Sequence, residues 1–397
     1  MQKIKQRFLV LPSALPSALP SALSSALLSA LLSALLLFLS SCAPKSIQKD
    51  FSELDITGNM ELEYARQFNV GYLADGCSLI TIQESGRFLL VPEGQEPPLN
   101  IDKDIAVLRQ PVENIYLAAT SAMCLFDALD ALGHISMSGT KADGWYVENA
   151  RAAMNRGEII YAGKYSAPDY EVLMANSCGL AIESTMVNQK PEVKEKLEAL
   201  GISVMVERSS YETHPLGRTE WIRLYGLLCG KEKLAEEVFG GQVAYLNGIS
   251  TESTGKTVAF FYISSAGNAV ARKSGDYVAK MIELAGGKYV FDDIGDADTA
   301  TGSANLEMER FYAGAKNADI IIYNSSIDGE IRTIAELLAK SHLLAGFDAV
   351  KNGEVWCTSK NLFQETTEFG LMISDMNRIF AGGLGDATEL NFLYKLW

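Results

Sequence analysis

Two series of alternating strand-like and helix-like segments, separated by one long helical stretch, constrain this chain more than any other feature. From Asn114 the first series reads NIYLAAT, a helical period over 121–132, HISMSGT, EIIYAG, a helix over 169–176, GLAIEST, a helix over 191–200, and ISVMVE. Short apolar runs bounded by helical periods argue for a mostly parallel sheet with helices on its faces. Between Pro215 and Ile249, apolar Ile222, Tyr225, Leu228, Cys229, Leu234, Ala235, Val238 and Phe239 recur at steps of three and four, over a length too great for an ordinary crossover. A second series follows: TVAFFYI, a helix over 274–285, KYVF, a helix over 306–317, DIIIYNSS, a helix over 330–340, EVWCTS, and a closing helix around 365–380. The predicted fold is α/β, with two mostly parallel-sheet lobes joined by a single long helix. An N-terminal β-hairpin or meander precedes them over 68–92, where Asp75-Gly76 and Ser85-Gly86 punctuate β-rich runs.

The first 41 residues stand apart. Lys3, Lys5 and Arg7 precede the apolar repeat LPSALPSALPSALSSALLSALLSALLLFL, which ends in Leu39-Ser40-Ser41-Cys42. A basic start, an apolar run and small residues form a secretory signal. Its last four residues resemble a bacterial lipobox, which makes Cys42 the lipidation site and new N-terminus. The alternative is an uncleaved membrane helix, since 24–39 is nearly apolar. Either reading puts the remainder outside the cytoplasmic membrane. The domain boundaries that follow are a signal peptide 1–41, a tether 42–59, a first lobe 60–213, a linking helix 214–252 and a second lobe 253–397. Net charge is −15, and the signal contributes bases without acids, so the body is more acidic still. Its field repels phosphate, which excludes nucleic acid as a partner. Cys77, Cys124, Cys178, Cys229 and Cys357 have no paired spacing and read as buried free thiols.

Five stretches carry a family resemblance: YAGKYSAPDYEVLMANSCGLAIEST (161–185), PEVKEKLEALGISVMVE (191–207), THPLGRTEWIRLYGLLCGKEKLAEE (213–237), SGDYVAKMIELAGGKYVF (274–291) and MERFYAGAKNADIIIYN (308–324). In this order and spacing, behind a lipobox, the chain resembles the substrate-binding lipoproteins of ABC importers. The class is the helix-linked one (class III periplasmic-binding-protein-like) that serves siderophore, haem and vitamin B12 uptake. The resemblance implies a monomeric, lipid-anchored receptor on a bacterial cell membrane that binds a chelated-metal or macrocyclic nutrient and delivers it to an ABC permease dimer. An iron-siderophore comes first, with haem or a corrinoid next, and no cofactor is expected. It also implies docking of the permease by a Glu at a helix start in each lobe. Glu171 in PDYEVLMA matches, and a helix-N-terminal acid complementing the macrodipole is the alternative reading of that residue. In the second lobe the matching position is Lys280, leaving Asp276 and Glu283 as substitutes.

Ligands of open α/β sheets lie beyond the carboxyl ends of strands. On that basis the first lobe offers Lys141, Trp145, Tyr146, Lys164, Tyr165, Glu183, Ser184 and Thr185, whose aromatics suit a planar macrocycle or catecholate and whose cations suit its negative charge. The densest polar cluster, Arg208, Tyr211, His214, Arg218 and Glu220, falls where the lobe turns into the long helix. Arg218 and His214 either hold an anionic ligand or pin the helix, with pinning favoured for Arg218 and Glu220. The second lobe adds Tyr262, Lys273, Asn324, Ser325 and Arg332, and a turn at Gly267-Asn268 that closes over the ligand. The three histidines are scattered, which argues against a free-metal-ion receptor. An extracytoplasmic enzyme using His214 and Glu220 is the rival of another class. Residues i and i+6 lie about 240° apart on a helix, however, and no hydrolase, zincin or phosphate-loop motif occurs.

Overall fold

The computed structural model describes residues 48–250, 252–296, 301–384 and 390–397. Residues 50–397 form one unit distinct from the segment before them, and the architecture below is theirs.

The expected hairpin is the centre of a five-stranded sheet, Ile56–Asn59, Phe68–Leu73, Ser78–Ile82, Gly86–Val91 and Ile105–Arg109 in spatial order. The first four are antiparallel and the last runs parallel to the fourth. Gly76, at φ 92°, makes the tight turn that Asp75-Gly76 promised, and the Asp75 carboxylate accepts from the Cys77 N–H at 2.9 Å. Phe68, Val70, Ile80, Ile82, Phe88 and Leu90 on the inner face join the core of the first lobe.

That lobe is built on a wholly parallel sheet in the order Ser203–Glu207, Leu180–Ser184, Ile115–Leu117, Ile135–Ser138, Ile160–Tyr161. The second has a seven-stranded sheet. Thr257–Ile263, Ile320–Tyr323 and Val355–Thr358 are parallel at its centre, as their uninterrupted apolar runs predict, and Lys288–Tyr289 adds to the first of them. Ala269–Arg272, Ser303–Leu306 and Leu393–Lys395 add antiparallel edges that the sequence pattern did not reveal. Gly267 and Asn268 belong to the hairpin turn entering the first of these edges, where the Ser264 N–H bonds to the Asn268 carbonyl at 2.9 Å.

The link between the sheets is two helices rather than one. Pro215–Cys229 ends at Gly230, whose left-handed conformation (φ 67°) lets the Lys231 N–H reach back to the Gly226 carbonyl at 2.7 Å, closing the helix as glycine caps do. A second helix, Glu232–Asn247, follows. Every residue of the first helix except Arg223 is buried. A helix covered on all sides is a core element. It packs under the N-terminal sheet and the first lobe, and the closing helix, Phe369–Phe380, lies against the second linking helix at Gly370, where a Cβ would collide with the Gln242 carbonyl.

Candidate functional site

The carboxyl ends of the two parallel sheets converge on the start of the helix Pro215–Cys229. In the loop after Val355–Thr358, the Gln364 side chain accepts from the Tyr146 N–H at 2.8 Å and donates to the Gly144 carbonyl at 2.9 Å. These bonds tie it to the loop after Ile135–Ser138. Thr219 Oγ1 donates to the Thr366 carbonyl at 2.7 Å. The Arg218 guanidinium stacks over the Tyr277 ring at 4.1 Å and lies 5.7 Å from that of Phe369. These contacts join the two lobes around the start of the linking helix.

Of the residues named from the sequence, Lys141, Tyr146, Lys164 and Tyr211 are exposed beyond the first sheet, with the Lys141 ammonium 5.6 Å from the Tyr161 ring; Tyr165, Ser184 and Thr185 are half-buried. Trp145 is a correction. It is 1% exposed, and its indole N–H donates to Ser138 Oγ at 3.1 Å, so it holds its loop onto the strand and offers no stacking face to a ligand. Arg208 turns to the N-terminal sheet, pairing with Glu84 at 2.7 Å and Gln67 at 3.1 Å and lying over Tyr211 at 4.4 Å. His214 caps the linking helix: its Nδ1 accepts from the Leu216 N–H at 3.2 Å, and its ring stacks on Tyr64 with centroids 4.4 Å apart. Burial, with the nearby Lys280 charge, lowers its pKa to about 4 and keeps the imidazole neutral.

In the second lobe Tyr262 and Lys273 are half-buried. Asn324 and Ser325 are corrections as well. Asn324 caps a short helix by accepting from the Ser326 N–H at 3.1 Å, and Ser325 is spent on Thr358, so neither faces open space. Arg332 is exposed, 3.9 Å above Tyr394 and 3.6 Å from Glu330. Among the docking acids, Glu171 is exposed on the first turn of Tyr170–Ala175, which Asp169 caps. Asp276 is 2% exposed and spent on the Val278 and Gly302 N–H groups at 3.0 and 2.9 Å, leaving no carboxylate for a partner. Glu283 is exposed and pairs with Lys280 at 2.9 Å. Cys42 lies outside the described residues.

Glu220 has no general-base role. Its two oxygens accept the Glu63, Tyr64 and Ala65 N–H groups at 2.9, 2.8 and 2.7 Å and pair with Arg223 at 2.7 Å. Glu212 likewise takes the Arg66 and Gln67 N–H groups and the Trp221 indole. Two buried carboxylates thereby clamp residues 63–67, an anchoring role consistent with the pinning expectation for Glu220.

Buried groups that the sequence did not single out gather at the junction. Glu207, at the last position of its strand, accepts from the Ser209 N–H at 2.9 Å and from Ser121 Oγ at 3.1 Å. Burial raises its pKa against these bonds and against the nearby Arg218 charge. Gln364, Thr366, Tyr277 and Phe369 complete the junction; the sequence signal for Gln364 and Thr366 was only that 359–368 follows the strand EVWCTS, while Tyr277 and Phe369 fall in segments expected as helices. Glu183, named from the sequence as a strand-end ligand residue, is a further correction: it is fully buried on the other face of the first sheet with both oxygens unpartnered, burial lifts its pKa to about 8, and it offers nothing to a ligand. The five thiols are buried and free, and burial raises Cys77 and Cys229 to about 12. Among the described residues no three His, Cys, Asp or Glu side chains gather to hold a metal ion.

The sequence profile described as Periplasmic binding protein matches residues 121–362, more than half of the chain. The chain belongs to the periplasmic binding protein family. This periplasmic binding protein is 26% identical over 343 residues to an uncharacterized lipoprotein of Methanocaldococcus jannaschii, covering 79% of each chain. A second uncharacterized lipoprotein of that organism is 25% identical over 350 residues, covering 84% of this chain and 86% of its own. Its fold is shared with the periplasmic haem-binding protein HutB of Vibrio cholerae (TM-score 0.55, 16% identity, 66% of this chain and 98% of that one). It is shared too with a periplasmic binding protein of Veillonella parvula (TM-score 0.56, 16% identity, 82% and 98%). The family consists of extracytoplasmic proteins that bind small molecules for ABC transporters and are not enzymes.

Proposed function

We propose that this protein is a lipid-anchored receptor, tethered through Cys42, that binds a chelated metal or macrocycle between its lobes and delivers it to an ABC permease dimer. It works as a monomer. An iron-siderophore is the first ligand class, with haem or a corrinoid next. The observation that carries the reading is the convergence of two parallel-sheet edges on one floor, where Gln364 and Thr219 join the lobes and Lys141, Tyr146, Lys164 and Tyr165 stand at the first-lobe rim. Open α/β sheets receive ligands at such edges. The fold shared with haem-binding receptors of Vibrio cholerae and Pseudomonas aeruginosa supports the ligand class.

Absorption titrations of the full chain in detergent with haemin, ferric siderophores and cobalamin test this. Saturable binding of one class with the ligand recovered unchanged is expected; no binding to any, or chemical conversion, overturns it. Tyr146→Ala should weaken that binding by about 1–3 kcal/mol if its ring stacks on the ligand. Glu171→Ala should keep affinity and lose uptake, because its helix start is the proposed permease contact. Lost affinity in Glu171→Ala together with unchanged affinity in Tyr146→Ala would reverse the two assignments.

A further inference from the structure

Arg218 is 6% exposed, and its guanidinium rests on the Tyr277 ring. Its Nε is buried with no hydrogen-bond partner, and no carboxylate among the described residues comes within the 4.0 Å of an ion pair. Burying a guanidinium with nothing to accept from it is costly, and buried charges are ordinarily paired. Stacking on Tyr277 answers one face of the cation but none of its N–H groups.

The surroundings repeat the pattern. The hydroxyl of Tyr277 and that of Thr366, whose carbonyl accepts from Thr219 beside Arg218, are likewise buried without partners. Glu207 influences Arg218 electrostatically, but its own hydrogen bonds go to Ser209 and Ser121. Arg272, 5.9 Å from the Tyr277 ring, is engaged 3.6 Å from Asp276 and 4.9 Å from Phe363. Unanswered donors on the cation and on the ring beneath it suit an acceptor that arrives from outside the chain.

We infer that Arg218 receives a carboxylate of the bound ligand at the floor of the cleft, and that the receptor therefore selects carboxylate-bearing chelates or macrocycles over neutral or cationic ones. A planar guanidinium matches a carboxylate through two parallel N–H···O bonds. A dianionic phosphate fits less well, because a single cation answers it while Glu207 stands nearby. This rests on the reading of the protein as a receptor for chelates or macrocycles.

The test uses the full chain in detergent and four probes: haemin and ferric citrate, which carry carboxylates, cyanocobalamin, which carries amides, and ferrioxamine B, which is cationic. Haemin or ferric citrate should bind tightest, and Arg218→Gln should raise the Kd for that ligand at least tenfold, with Arg218→Lys in between. Without ligand, Arg218→Gln should hold or raise the Tm, because it removes an unanswered buried charge, whereas a residue that only pins the helix would lose Tm with Kd unchanged. An Arg218→Gln Kd within threefold of wild type overturns the inference. So does tighter binding of cyanocobalamin or ferrioxamine B than of both carboxylate probes, although the receptor reading then stands. If none of the four binds, the receptor reading fails and the inference fails with it.

Discussion

Arg218 and Glu220 sit two positions apart on one buried helix and meet opposite surroundings. Where the helix faces the N-terminal sheet, Glu220 receives three backbone N–H groups and a guanidinium, and neighbouring Glu212 receives two more and an indole. Where the helix faces the second lobe, Arg218 has an aromatic ring and no acceptor for its Nε. Burial is equal, and what differs is whether the charge is answered inside the chain. A carboxylate with every lone pair used anchors the structure. A buried cation left unanswered is a poor anchor, which is the ground for the receiving role proposed for Arg218.

Removing the answered charge should cost most. Glu220→Ala strands three amides and Arg223 and should lower stability by about 3–5 kcal/mol in urea unfolding. A loss near that of an ordinary surface substitution would erase the contrast with Arg218. Glu183 extends the comparison to an unanswered carboxyl group. Its folded pKa of about 8 lies above its unfolded value, so the native state keeps a proton that the unfolded chain releases. Stability from this group should therefore fall as pH rises from the ordinary carboxyl range toward 8, on the order of 5 kcal/mol in all, and level off above it. Glu183→Gln should remove that fall, and an unchanged pH profile would mean that Glu183 is ionised and answered. His214 contributes the opposite slope: with its folded pKa lowered to about 4, it favours the native state increasingly as pH rises from 4 to the usual imidazole range. The smallest effect belongs to Gln364→Ala, which loses two exposed hydrogen bonds between the lobes, about 1 kcal/mol each at most. Faster hydrogen exchange at the Tyr146 amide should reveal it, and an unchanged rate would show that the lobes are held elsewhere.

The sequence made the central parallel strands legible, because each is an apolar run bounded by helical periods. The stop at Gly230 was equally available, since glycine after a periodic run is a helix-end signal, yet continued periodicity in Leu234, Val238 and Phe239 masked it. Edge strands such as Ala269–Arg272 and Ser303–Leu306 are only four residues long, and the second is half polar, so neither offers a run to recognise. In the site, proximity to strand ends named Lys141 and Tyr146, which are exposed beyond the first sheet, but misplaced Trp145. The position of Trp145 is set by Ser138, seven residues earlier, and by the core beneath it. The role of Glu220 was invisible as geometry because its acceptor bonds reach backbone more than 150 positions away, and backbone amides carry no residue signature.

The seat of Gly370 on the Gln242 carbonyl sets a limit on how this receptor can tell ligands apart. A helix that rests on side chains can yield as they change rotamer. Here backbone lies on backbone, and no such cushion exists. The closing helix therefore has little travel available along that seam. On the proposed reading as a receptor, discrimination would then fall to the exposed side chains at the first-lobe rim, with the spacing of the lobes an inherited dimension and their chemistry the adjustable one.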